Sequence, residues 1–108
     1  MWKPHITVAA VIEYQERFLL VSDSTSRGVL LNQPAGHLEA NEDLITAVIR
    51  EVKEETSMDF RPEKIVGIYL YHPNSEQTYL RICFTGSLLD YSKTPCPVEG
   101  DDGVIAAN

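Results

Sequence analysis

From His5 to Tyr14 the chain runs HITVAAVIEY, small and β-branched apolar residues in an almost unbroken series, and after Gln15-Glu16 it resumes with RFLLV, Arg17 to Val21. Such side chains suit a pleated, half-buried surface, and a two-residue polar interruption has the length of a tight hairpin. The pattern therefore predicts two strands joined by a turn. SDSTSRG, Ser22 to Gly28, is rich in turn formers and predicts a polar loop. VLLNQPAGHLE, Val29 to Glu39, begins apolar and carries Pro34 and Gly36, which predicts a short extended segment turning sharply into the next element.

The period then changes. Leu44, Ile45, Val48, Ile49 and Val52 recur at helical spacing. Asn41 is a good N-cap, and Glu42 and Asp43 place negative charge where a helix dipole favours it, so a helix is expected over 42–56. Beyond it, Ile65 to Tyr71 (IVGIYLY) and Thr78 to Thr85 (TYLRICFT) predict two strands around the turn-rich HPNSEQ, paired as a hairpin. The tail SKTPCPVEGDDGVIAAN holds two prolines and two glycines and then a brief apolar run. Strands, then a helix, then strands argue for an α+β domain on a mixed sheet, and no repeat or linker divides the chain.

The 108 residues, 44% hydrophobic and 23% charged, match one small domain, 1–108. Sixteen acidic against nine basic side chains leave a formal charge of -7, unsuited to a nucleic-acid polymer or an anionic membrane. A phosphorylated ligand would need its attraction from elsewhere, such as a bound cation. MWKPHITVAAVIEY lacks the features of a secretion signal, and no apolar stretch approaches the roughly 18 residues of a membrane span, so a cytoplasmic location is expected. Cys83 and Cys96 have neither metal-site spacing nor the density of a disulfide scaffold and are expected to be packing or loop thiols.

Three carboxylates change the picture. On a helix Glu51, Glu54 and Glu55 share a face, and the i,i+4 pair Glu51/Glu55 costs an isolated helix roughly 0.2–0.5 kcal/mol. A hard divalent cation reverses that sign, because Mg²⁺ prefers oxygen ligands and keeps waters and substrate phosphates in its remaining positions. The plain alternative is a solvated acidic face, with Arg50 and Lys53 as surface partners.

The wider spacing bears on this choice. From Gly36 the chain counts five residues to Glu42 and seven more to Arg50, followed by Glu51, Val52, Lys53, Glu54, Glu55, Thr56, Ser57 and Met58. This resembles the box of the Nudix hydrolase family, G-x5-E-x7-R-E-U-x-E-E-x-G-U with U aliphatic. One position departs: Ser57 stands where the family has glycine, and a non-glycine residue in a left-handed helix cap costs on the order of 1–2 kcal/mol. KPHITVA (Lys3 to Ala9), NQPAGHLEA (Asn32 to Ala40) and LRICF (Leu80 to Phe84) also resemble bacterial members of that family.

The resemblance implies a Nudix-type mixed sheet with the box forming a loop and helix, and further C-terminal elements beyond Asn108. It implies Mg²⁺, or Mn²⁺, held by Glu51, Glu54, Glu55 and the Gly36 carbonyl, and a catalytic set of Glu51, Glu54 and Arg50 in which one glutamate serves as base and Arg50 orients a glutamate. Glu42 would fix the loop to the helix. Glu99, Asp101 and Asp102 are alternative bases or plain acidic surface. Arg81, His37 and Arg27 are the substrate-binding residues expected; His5 and His72, without ligand spacing, are expected to be structural or exposed. The implied activity is hydrolysis of phosphoanhydrides in nucleoside di- and triphosphates or related small diphosphates, with orthophosphate release; the sequence leaves the oligomeric state open, with a monomer as the first expectation. The alternative is a non-catalytic nucleotide-binding or sensor domain of the same fold.

Overall fold

The computed structural model describes residues 2–26, 28–92 and 104–107. Strand β1 (His5–Val11) is followed by β2 (Glu13–Tyr14), β3 (Arg17–Thr25), β4 (Gly28–Asn32), β5 (Ala35–His37), helix α1 (Leu44–Thr56), β6 (Phe60–Tyr71), β7 (Tyr79–Leu88) and β8 (Val104–Ala107). The predicted turn at Gln15-Glu16 is present. Tyr14 faces Arg17 across it, and both turn residues have positive φ, 53° and 63°, the backbone that matches the twist of the flanking strands.

The expected polar loop at 22–28 is instead mostly strand. β3 continues to Thr25 and β4 starts at Gly28, with Ser22 opposite Leu31 and Thr25 opposite Gly28. Turn propensity gives way because the apolar β4 supplies a ladder in register, and strand preference depends chiefly on the neighbouring strand.

Among the described residues two four-stranded sheets result. The first has the order β5-β1-β7-β6, with β1 and β7 parallel and the other pairs antiparallel, so the expected mixed sheet and the β6/β7 hairpin are both present. The second joins β2, β3 and β4, with β8 beside β3. Strand alternation gives the first sheet two unlike faces. Val8, Ala10, Ile82 and Phe84 pack with Ala47, Val48 and Val52 of α1 and with Met58, Phe60 and Leu88 in the core. Thr7, Ala9, Arg81 and Cys83 belong to the opposite face. Ile45 and Ile49, counted in the predicted apolar stripe, are 56% and 37% exposed, so the buried face of α1 is narrower than the periodicity suggests.

The helix starts two residues later than expected. Asp43, in extended conformation, accepts from Thr46 N at 2.7 Å and is the N-cap in place of Asn41, which has φ 63° in the approach loop. The Thr46 N–H holds the Asp43 carboxyl below its usual range. Glu42, expected in the first turn, is drawn into the loop by Arg50 and Glu39. At the other end Ser57 takes the left-handed cap (φ 64°, ψ 12°), its N–H donating to Lys53 O at 2.9 Å. The non-glycine residue at that position thus carries the conformational cost expected of it. Ser57→Gly is expected to stabilise the fold by about 1 kcal/mol, and Ser57→Ala not at all, in denaturant titrations. Among the described residues no helix is long and apolar enough to cross a membrane.

Candidate active site

The site forms where α1 lies along the outer edge of β5. Gly36 has an ordinary negative-φ backbone; what requires glycine is clearance, because a Cβ there would overlap the carboxylate of Glu51. One turn on, Glu55 Oε1 accepts from Ala35 N at 2.7 Å. The i,i+4 glutamates that oppose each other electrostatically are therefore both laid against one short strand, each on its own part of the backbone.

Register decides which backbone groups face them. Leu38 N donates to Ile6 O and Ala10 N to Pro34 O, both at about 3 Å, so residues 38, 36 and 34 are the hydrogen-bonded partners of 6, 8 and 10. Gly36 accordingly directs its N–H and C=O toward Val8. Ala35 and His37 direct theirs outward, which is why Ala35 N reaches Glu55 and His37 O accepts from Arg50 Nη2 at 3.0 Å. The carbonyl expected of Gly36 is turned into the sheet, and that of Ala35 stands at the outer edge.

Arg50 ties the loop to the helix. Its Nε and Nη2 grip Glu42 Oε2 and Oε1 at 2.7 and 3.0 Å, and Nη1 reaches Glu51 Oε1 at 2.7 Å and Glu54 Oε2 at 3.3 Å. Glu42 Oε1 also accepts from Glu39 N at 3.0 Å. The planar five-donor guanidinium suits this task, since two of its contacts form a fork on one carboxylate. Its hydrogen bond to Glu42 holds that carboxyl below the usual range against the opposing effect of desolvation, and the same contact holds Arg50 firmly protonated.

Side-chain exposure is 9% for Glu42, 13% for Glu51 and 49% for Glu54. Glu54, with its longer contact, is thus the adjustable member. Among the described residues no three His, Cys, Asp or Glu side chains stand close enough to hold a metal ion in this arrangement, since Arg50 draws Glu51 and Glu54 to itself. The donor chemistry nonetheless suits a hard cation: carboxylate and carbonyl oxygens at one strand edge, with clearance at Gly36 that a side chain would fill.

On the other face of the first sheet lies an open cleft of about 540 Å³, lined among others by Asn32, Gln33, Tyr69, Tyr71, Arg81 and Cys83. Arg81, expected to meet substrate, is there, its Nη2 3.5 Å from Gln33 Oε1. Gln33 is two residues before Ala35, in the segment that leads into β5. His37 is exposed outside the cleft lining, with its ring edge-on to His5 at 6.1 Å. His5 is more than a surface residue: it stacks on Tyr79 at 4.5 Å, and Tyr79 on Tyr71 at 5.1 Å. His72 pairs with Thr78 through Nδ1 and Oγ1 at 3.0 Å. Arg27, Cys96, Glu99, Asp101 and Asp102 lie outside the described residues. Sequence reasoning missed Gln33, Tyr69 and Tyr71; the alternation of IYLY, which puts both tyrosines on one strand face, was the available signal.

The NUDIX domain model matches residues 3–106. Phosphatase NudJ of Escherichia coli K12 is 36% identical over 105 residues, which are 97% of this chain and 66% of that protein, so the chain spans slightly less than two thirds of that relative's length. A NUDIX hydrolase from Nitrosomonas europaea superposes with a TM-score of 0.83 at 40% identity, covering 98% of this chain and 73% of the other. A second from the same organism gives 0.78 at 26% identity, covering 98% and 58%. With the box residues assembled on β5 and α1 as described, the chain belongs to the NUDIX domain family.

Proposed function

We propose that the protein is a Mg²⁺-dependent phosphohydrolase that cleaves phosphoanhydrides in nucleoside di- and triphosphates or related small diphosphates, releasing orthophosphate. The observation that carries this reading is the seating of Glu51 and Glu55 on Gly36 and Ala35, with Glu54 beside them. Paired like charges on a helix are unfavourable, and a structural role would not need glycine clearance under one of them. The relatives named phosphatase NudJ support the same class.

Glu51, Glu54 and Glu55 with the Ala35 carbonyl would hold Mg²⁺, or Mn²⁺, and Gly36 contributes the space. Such an ion, when bound, offsets phosphoryl charge and acidifies a coordinated water. The chain's own residues do the positioning. Arg50 fixes Glu51 against β5 and is itself fixed by Glu42. Glu54, half exposed, is free to leave Arg50 and accept a proton from the attacking water. Arg81 and the tyrosines of the cleft bind the group beyond the phosphates, with Gln33 leading from there to the glutamates.

Orthophosphate and pyrophosphate release from a panel of nucleoside di- and triphosphates, with Mg²⁺ and with chelator, tests this. Orthophosphate release that falls about 100-fold or more on chelation is expected. Nucleotide binding with no turnover at any metal concentration would overturn it and favour the sensor reading.

A further inference from the structure

Strand β6 is the outer strand of the first sheet, and among the described residues no strand pairs with its free edge. At 12 residues it is about twice the usual strand length. Its two halves are built differently. The first carries the features that keep an edge from recruiting another strand: Pro62, the charges of Arg61, Glu63 and Lys64, and two breaks in register, between Pro62 and Lys64 and between Ile65 and Gly67. The second, Gly67 to Tyr71, pairs residue for residue with β7 and has no charge, proline or bulge. An edge of that kind is a template for a further strand.

Apolar side chains flank it on both faces. On the helix side Ile65 and Ile68 stand opposite Phe84 and Ile82, which are buried, and Leu70 stands opposite Leu80, which packs on the core. Yet Ile68 and Leu70 are each 62% exposed and Ile65 about half, so the apolar face of the core continues past β7 into solvent. Exposed Ile45 and Ile49 border the same strip. On a helix Ile45 is half a turn out of phase with Glu54, so the flank of α1 opposite the glutamates carries both isoleucines toward β7 and β6, against which α1 also packs. On the other face Tyr69 and Tyr71 are about half exposed. These seven side chains expose on the order of 700 Å² per protomer, above the roughly 300–600 Å² of a monomer's largest apolar patch and close to the roughly 800 Å² that each partner of an ordinary stable interface buries.

We propose that β6 is a homodimer interface, in which Gly67 to Tyr71 of two copies pair antiparallel about a two-fold axis at Tyr69 and join the two first sheets into one. This register sets Tyr69 against itself, Ile68 against Leu70 and Gly67 against Tyr71 of the second copy, so every pair joins side chains of one face. Isoleucine and leucine then close the helix-side strip between the two α1 helices. On the other face glycine meets tyrosine; the ring of Tyr69 already leans over Gly67, where a Cβ would collide with it, and the tyrosines of both copies gather into one aromatic cluster. Tyr69 and Tyr71 line the cleft as well, so each cleft gains a tyrosine of the second copy at its β6 wall. Because the segment is uncharged, two chains of formal charge -7 meet there without setting like charges opposite each other. A strand paired with itself in this way uses the same surface on both copies, and the assembly closes at two.

Sedimentation equilibrium of the wild-type chain is expected to show a dimer with a dissociation constant of about 10 µM or below. Ile68→Lys sets a charge against Leu70 on both sides of the axis and is expected to weaken association about 100-fold or more, while melting as the dilute wild type does, because position 68 is exposed within one protomer. Tyr69→Cys tests the register. Directly paired Cα atoms lie roughly 4.5–5.5 Å apart, a span that a disulfide bridges, so oxidation with diamide should give a covalent dimer linked 69 to 69, located by peptide mass spectrometry. A wild-type chain that stays monomeric at about 1 mM, or a dimer that survives Ile68→Lys, overturns the proposal. A bridge formed only through Cys83 or Cys96, or none, overturns its register. Should Ile68→Lys fail to fold, Leu70→Lys, at an equally exposed position, decides.

Discussion

Gly36→Ala is expected to fold and yet to lose turnover by about 100-fold or more. The added methyl has no room, because the carboxylate of Glu51 lies where it would go. Backbone would resist such a clash strongly, but here the obstructing atoms are the end of a flexible side chain, so Glu51 moves and the sheet does not. The stability cost is therefore about 1 kcal/mol, at the low end for overpacking. The functional cost is larger, since displacing a catalytic group by about 1 Å is enough for a loss of that size. Melting temperature and kcat/KM measured together check this. A variant within about threefold of wild-type activity would show that Glu51 does not act from its place against β5.

Arg50→Lys carries the second large effect. Charge is retained, so whatever changes reports geometry. One ammonium cannot make the fork to Glu42 while reaching Glu51, Glu54 and the His37 carbonyl, the contacts that the guanidinium holds together. Stability is expected to fall by about 2 kcal/mol, below the roughly 3–5 kcal/mol of a fully buried broken pair because a fifth of the arginine side chain remains exposed. Turnover is expected to fall about 100-fold through kcat, with KM little changed, because in the proposed mechanism Arg50 positions a carboxylate and is not part of the cleft lining. A rise in KM alone would point to direct substrate contact and against a positioning role.

Both expectations depend on geometry that only part of the sequence announces. The charged spacing from Glu42 to Glu55 was legible, because i,i+3 and i,i+4 relations are local and α1 keeps them whatever else the chain does. The departure at Ser57 was legible for the same reason: a helix end needs a left-handed residue, and the position shows one. Local pattern failed where a partner strand intervened. Ser22 to Gly28 has the composition of a loop but forms strand because β4 runs beside it. Asn41 and Asp43 are equally good caps by type, and the choice fell to Asp43 once Arg50, eight residues on from Glu42, had drawn that glutamate into the loop.

The sequence by itself determined the mixed α+β plan, the box helix and the shared face of Glu51, Glu54 and Glu55, because these follow from hydrophobic period, capping chemistry and spacing within one helix. Tertiary structure alone decided that the Gly36 carbonyl turns to Val8 while Ala35 faces the glutamates, because a one-residue change of register reverses every backbone group of a strand. It alone brought Thr7, Arg81 and Tyr69 into one row, from strands far apart in the chain, since strand order depends on which apolar faces can be buried together and no local pattern encodes that.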